Sequence, residues 1–390
     1  MCSAHVDYIR ISTKEGIVPA ATTFHQRLQR TVDSLKKTEM DALLLNRVGN
    51  IAYLTGAVNS CSWVFITRKG EQLALVLESD GAMYRESSVL KDIRTFRIHD
   101  PFHLFRAVLD ELGLVKSKIG LELSRPGLPQ HTLDMLRYAF PPTVEFVNGE
   151  PILEEIRAIK SKEEVQAIEE AIKISELGMD VAIKNVKPGV RESDVVLEAE
   201  YAMRKSGGRI TTLNYVGSGK RSCIAHHTPT QKVIEQGDVV TIDIHAGYGG
   251  YCADLARTVV CGKIDKEVEE AYRFLVQAEE ETLRVCRSRA TMVEAKKTFY
   301  RKLAEAKDFQ FLLGPVLHGV GIMNYEMPYF TFPYQDKGRP EILEPGMVVC
   351  VSNIGLFSDR GWGVRIEDMA LITGDDPVYL THFPKELIGV

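Results

Sequence analysis

The chain lacks most features that would place it quickly. It has no basic run: 48 Lys and Arg against 53 Asp and Glu leave a net charge of −5. Nucleic acid and acidic membrane surfaces are therefore poor partners. No apolar stretch approaches the length of a membrane span, and the N-terminal MCSAHVDYIRISTKEG has no apolar signal core. Cysteine is sparse: seven residues, an odd number without CxxC spacing. That argues against a disulfide framework and for reduced thiols in a cytoplasmic protein. Tandem repeats and low-complexity tracts are absent. What is left is a soluble composition, 45% hydrophobic and 26% charged, in 390 residues, long enough for two domains.

Periodicity divides the chain. Phe24, Leu28, Val32 and Leu35 recur on one face of a predicted helix over 22–38. DALLLN (41–46), SWVFIT (62–67), QLALVLE (72–78), IRTFRIH (93–99), KIGLEL (118–123) and VEFVNG (144–149) read as strands. Helical patterns at 102–113 and 129–138 lie between them. This alternation implies an α/β domain over residues 1–155. A charged helical stretch (151–185) follows, with a capping box at Ser161 and Glu164 and with Val165, Ile168, Ile172 and Leu177 on one side. From 156 to 390 the pattern is α+β: hairpins, with two further helices at 264–286 and 291–306.

DVVTIDIHAGYGGYCADLARTVV is the most informative segment. Val240, Ile242 and Ile244 alternate with Thr241, Asp243 and His245, so Asp243 and His245 share a face. GYGG (247–250) supplies a turn. With Tyr248 and Gly249 at its centre, Asp243 is expected opposite Asp254 and His245 opposite Cys252. Opposed Cβ atoms lie about 5 Å apart. Carboxylates that close repel without a cation or a shared proton. A metal removes the conflict; a solvated face or a bulge is the alternative. Three later segments add to the cluster. GPVLHGVG (314–321) sets His318 among glycines. GVRIEDMALIT (363–373) reads as a strand with Arg365 and Glu367 on one face. GMVVCVSNIGLF (346–357) reads as the strand that pairs with it.

The order Asp243, Asp254-x-x-Arg-Thr, His318-Gly, then GVRIED resembles the pita-bread fold of prolidases, Xaa-Pro aminopeptidases, methionine aminopeptidases and creatinase. NIAYLTG (50–56) and AHHTPTQKVIEQGD (225–238) are similar to the creatinase and prolidase branch. The resemblance implies an α/β creatinase/prolidase-like N-terminal domain and an α+β pita-bread catalytic domain. It implies that Asp243, Asp254, His318 and Glu367 are metal ligands. The fifth ligand of the peptidases is a Glu, where this chain has Asn353 or Ser352, depending on the alignment. His245 stands where peptidases have glycine and is a candidate replacement ligand. His226 matches the substrate-site histidine and proton shuttle. Tyr325 replaces a histidine of the peptidases, and Glu326 and Arg365 are candidate substrate contacts or a structural ion pair. Buried and inert is the default reading for Cys223, Cys252 and Cys350.

The expected function is a metal-dependent hydrolase of a C–N bond in a small molecule, with an altered metal shell. The alternatives are an Xaa-Pro dipeptidase or aminopeptidase, a metal-independent creatinase- or ectoine-hydrolase-like enzyme, a dimethylsulfoniopropionate-lyase-like enzyme, and a non-catalytic binding module. The expected cofactor is one or two divalent transition metal ions (Mn, Fe, Co or Zn), or none in the creatinase-like case. The expected partners are a small-molecule or dipeptide substrate and a second copy of the chain. In that dimer, Asn59–Ser60–Cys61–Ser62–Trp63 is the stretch expected to close the other subunit's site, with Trp63 equally readable as plain core.

Overall fold

A computed structural model describes residues 21–57, 62–98, 101–123, 127–306, 309–311, 316–329, 342–351 and 355–390. Ser352 and Asn353 lie outside them, as do Asn59, Ser60 and Cys61. The chain divides into two compact units, with the division between Arg157 and Ala158.

The first unit holds one six-stranded mixed sheet of β1 (Ala42–Leu45), β2 (Ser62–Thr67), β3 (Gln72–Leu77), β4 (Asp92–Phe96), β5 (Lys118–Leu121) and β6 (Glu145–Asn148). Their order is β4-β3-β2-β1-β5-β6. The central strands are buried on both faces, so they read as near-continuous apolar runs. Trp63 packs edge-on against Phe105, at 5.7 Å between ring centroids, as part of this unit's core.

The second unit begins with the helix Lys162–Asn185, whose capping box at Ser161 is formed in both directions. Ile168, Ile172, Ser175 and Met179 form its buried stripe. Leu177, expected on that side, is 40% exposed, because a helix repeating every 3.6 residues carries position 177 off the stripe. The strands are β7 (Arg209–Ile210), β8 (Tyr215–Ser218), β9 (Val239–Ile244), β10 (Ala246–Tyr248), β11 (Tyr251–Cys252), β12 (Leu255–Val260), β13 (Gln310–Phe311), β14 (Leu317–Gly319), β15 (Glu326–Tyr329), β16 (Val348–Val351), β17 (Gly355–Ser358), β18 (Trp362–Arg365), β19 (Asp368–Leu371), β20 (Val378–Tyr379) and β21 (Ile388–Gly389). They form four sheets: β11-β10-β7, β21-β12-β9-β8, β13-β17-β18 and β15-β14-β16-β19-β20.

Two expectations are corrected here. The hairpin register is displaced by two residues: Asp243 faces Ala256, and Gly247 faces Cys252. The turn is centred on Gly249 and Gly250, with φ of 56° and 93°. A tight hairpin turn of this kind takes positive φ at both central residues, which suits two glycines and not Tyr248. The second correction concerns 346–357 and 363–373, each read as one strand. β16 pairs with β19 in one sheet, and β17 with β18 in another. The break falls at Glu367, which leaves its own ladder to bridge Ala256.

Candidate metal centre

β9 points Val240, Ile242 and Ile244 into an apolar core with Met179 and Met203, leaving Thr241 and Asp243 for the other face. The strand stops at His245 because side chains take the next ladder donors. Asn214 Oδ1 accepts from the His245 N–H at 2.6 Å, and Ser175 Oγ from the Ala246 N–H at 3.0 Å. The displaced register keeps side-chain parity, so Asp254 still meets Asp243 with His245 between them. His245 Nε2 lies 3.2 Å from Asp243 Oδ1 and 3.3 Å from Asp254 Oδ1. Glu367 and Arg365 come from the break between β18 and β19. Arg365 Nη2 is 2.6 Å from Glu367 Oε1 and 3.3 Å from Asp243 Oδ2. His318, on β14, brings Nε2 to 3.8 Å from Asp254 Oδ2. Its Nδ1 pairs with the Gly319 carbonyl at 3.1 Å, which leaves the Nε2 lone pair for the site.

The whole cluster is buried, each of these residues being 5% exposed or less. Burial disfavours charge on His245, but Asp243 and Asp254 outweigh it and push the imidazole up to about 9. Burial raises Asp254 too, yet His245 wins and holds it below the usual carboxylate range. Glu367 goes the other way: burial, then Asp243 and Asp254, drive it well above that range despite Arg365. Burial lowers His318, so its imidazole is neutral, the form that binds metal.

The surrounding residues sort by what they touch. His226 is exposed, 5.6 Å from the Tyr215 ring between centroids; partial burial and then Arg365 hold it below an ordinary histidine. Arg365 Nη1 donates to the carbonyl of Ala225 next to it, at 2.6 Å. His227 is buried and filled in on both sides. Its Nδ1 meets the Ile224 carbonyl at 2.5 Å, and its ring lies where a side chain at Gly217 would be. Tyr325 stacks on His318, with centroids 4.7 Å apart. Glu326 forms a buried ion pair with Lys160 at 3.0 Å. Tyr215, opposite Asp243 on β8, was not singled out from the sequence, although its ring also lies 5.7 Å from His245. Asn214, Ser175 and Lys160 were missed too, since each acts from a segment distant in sequence.

Asp243 Oδ1 and Oδ2, Asp254 Oδ1, Glu367 Oε2 and His245 Nδ1 are buried without a hydrogen bond. Leaving such groups unsatisfied is costly, and a divalent ion compensates for several at once. Ligand atoms of Asp243, His245 and Asp254 all lie within 4.8 Å of one another, as do those of Asp254, His318 and Cys350. The residues fit a metal.

Comparison with known proteins agrees. Residues 166–374 match metallopeptidase family M24, and residues 27–159 match the creatinase/prolidase N-terminal domain. An Xaa-Pro dipeptidase of Pyrococcus horikoshii is 27% identical over 366 residues, spanning 93% of this chain and 99% of the relative. The uncharacterized peptidase YqhT of Bacillus subtilis is 30% identical over 368 residues, with the same coverage. The crystal structure of the prolidase from Pyrococcus horikoshii superposes with a TM-score of 0.82 at 27% identity, over 93% of this chain and 100% of that one.

Proposed function

We propose a substrate and a site for a chain whose family is plain: it belongs to metallopeptidase family M24, a creatinase/prolidase N-terminal domain followed by a pita-bread hydrolase domain. The reaction is metal-dependent hydrolysis of the C–N bond in a dipeptide-sized substrate. The observation that carries it is the convergence of Asp243, Asp254 and Glu367 with four buried oxygens lacking hydrogen bonds. Asp243, Asp254, His318 and Glu367 would hold the ion, with His245 as a further ligand. A bound divalent ion supplies Lewis acidity toward the scissile carbonyl and lowers the pKa of water.

The chain's own residues do the rest. Arg365 clamps Glu367 and Asp243 in place and ties them to Ala225. His226 beside it is neutral near pH 7 and free to take or return a proton at its ring nitrogen. Tyr325, 42% exposed over His318, offers its hydroxyl to the substrate. Glu326 is turned to Lys160, so we assign it to holding the 321–326 turn, where it fills the space under Gly321.

A metal-independent, creatinase-like reaction is the second reading. It is favoured by one observation: Arg365 and His245 already set two cations against the cage carboxylates. The protein loaded with Mn(II), Co(II) or Zn(II), and a chelated sample, should be assayed on Xaa-Pro dipeptides, other dipeptides and guanidino compounds. Turnover of a dipeptide that vanishes on chelation supports the first reading. Undiminished turnover by the metal-free protein overturns it and promotes the second.

A further inference from the structure

Cys350 stands in the middle of the five-stranded sheet, directly across from His318 on β14 and from Met369 on β19. Directly paired residues put their side chains on the same face, about 5 Å apart at Cβ. Met369 Sδ in turn accepts from the Asp254 backbone N–H at 3.2 Å. The thiol is therefore built into the wall that presents His318 and Asp254, and ligand atoms of all three lie within 4.8 Å of one another. Two of the other buried thiols are hydrogen-bonded, whereas Cys261, like Cys350, has no acceptor among the described residues. Cys252 Sγ donates to the Ile322 carbonyl at 3.4 Å and Cys286 Sγ to the Thr282 carbonyl at 3.1 Å. Cys350, fully buried, has no such acceptor among the described residues. Asp254 Oδ1, in the same cluster, is buried without a hydrogen bond. In sequence, Cys350 shares strand parity with Ser352, one of the two candidates for the position where the peptidases carry a carboxylate ligand.

We propose that Cys350 is a sulfur ligand which, with His318 and Asp254, holds one divalent ion and replaces the missing carboxylate. The inference rests on the metal-dependent reading above. When the ion binds, the S–H bond breaks, the proton leaves to solvent and a metal–sulfur bond forms, with no redox change. The thiolate restores the one negative charge lost at Ser352 or Asn353. A sulfur and a nitrogen donor beside a single carboxylate favour Zn(II) or Co(II) over Mn(II), whose preference is for oxygen.

The test loads the full-length protein with Co(II) and records the sulfur-to-cobalt charge-transfer absorption. Wild type should show it, Cys252→Ala should keep it, and Cys350→Ala should lose it, with Co(II) affinity falling about tenfold or more. X-ray absorption of Zn(II)-loaded wild type needs no variant: a sulfur shell at about 2.3 Å supports the proposal. Bound Co(II) or Zn(II) with only nitrogen and oxygen neighbours overturns the sulfur ligand and leaves the metal-dependent reading standing. Failure of wild type to bind Co(II), Zn(II) or Mn(II) overturns both.

Discussion

Two buried charged clusters lie back to back on the same strands of the second unit. The front one is the cage of Asp243, His245, Asp254, Arg365 and Glu367. The rear one is reached by moving a few positions along the chain: Arg257 follows Asp254, and Asp368 follows Glu367, each with opposite parity. In the rear cluster Arg257 makes five hydrogen bonds, to the carbonyls of Ala256, Glu367, Phe383 and Pro384 and to Asp368 Oδ1. Asp368 also accepts from Thr381 and faces Lys385, which grips both oxygens of Glu279. The rear cluster leaves one carboxylate oxygen without a hydrogen bond, Asp368 Oδ2, and Lys385 faces it at 3.2 Å. The front cluster leaves four carboxylate oxygens without hydrogen bonds. A nearly closed buried network holds the fold, and one of the same depth with several open oxygens is a place for something else to bind.

This contrast breaks first under paired substitutions. Asp254→Asn should lower hydrolysis at least ~1000-fold, measured as kcat/KM of the metal-loaded enzyme. Its unfolding free energy in urea should fall by less than that of Asp368→Asn, because His245 keeps Asp243 at 3.2 Å as a counter-ion. Asp368→Asn should do the reverse: it strands Arg257 in the interior and should cost about 3–5 kcal/mol. If Asp254→Asn unfolds as readily as Asp368→Asn, the front cluster is structural as well and the comparison fails.

The strands of the first unit were legible because burial on both faces writes them as apolar runs; residues 62–67 form a strand over the span the pattern predicts. The helix start at Ser161 was legible from its capping box. Which face of the hairpin carries Asp243 and Asp254 followed from alternation, but the register did not. The signal was present in Gly249 and Gly250, the consecutive pair able to take positive φ at both turn positions. Nothing local marks the split between β18 and β19, since alternation runs through Glu367; its pairing with Ala256, over a hundred residues away, makes the break. Lys160 against Glu326 and Asn214 against the His245 amide are likewise tertiary facts with no local pattern.

A smaller effect separates the clusters by pH. Burial, reinforced by Asp368, raises Glu279 to about 8 despite Lys385. A carboxyl raised in the folded state binds its proton more tightly there than when unfolded. Its contribution to stability is therefore complete below about 4.5 and is lost as pH rises through about 8. Glu279→Gln does not titrate. Thermal melts across pH 5 to 9 (about that range) should show wild type losing ground to the variant by up to about 1.4 kcal/mol per pH unit. A pH-independent difference between the two would mean that Lys385 keeps Glu279 ionised throughout and that the rear cluster is a full salt-bridge network.

The smallest effect tests how completely the rear cluster is closed. Thr381 Oγ1 donates to Asp368 Oδ1 at 2.6 Å, and its oxygen accepts from the Met369 N–H at 3.2 Å. Thr381→Val keeps the shape and removes both bonds. Asp368 Oδ1 still has Arg257 Nη2 at 2.8 Å, so its charge stays compensated. The loss should then be that of hydrogen bonds to a charged group and a buried amide, about 1–3 kcal/mol by urea unfolding. Metal affinity should not change, because Asp368 points away from Glu367 and the Glu367 carbonyl keeps both Arg257 Nη1, at 2.9 Å, and the Ala256 N–H, at 3.4 Å. A drop in metal affinity without a drop in stability would show that the rear cluster tunes the front one through the Glu367–Asp368 backbone, and the two would have to be treated as a single site.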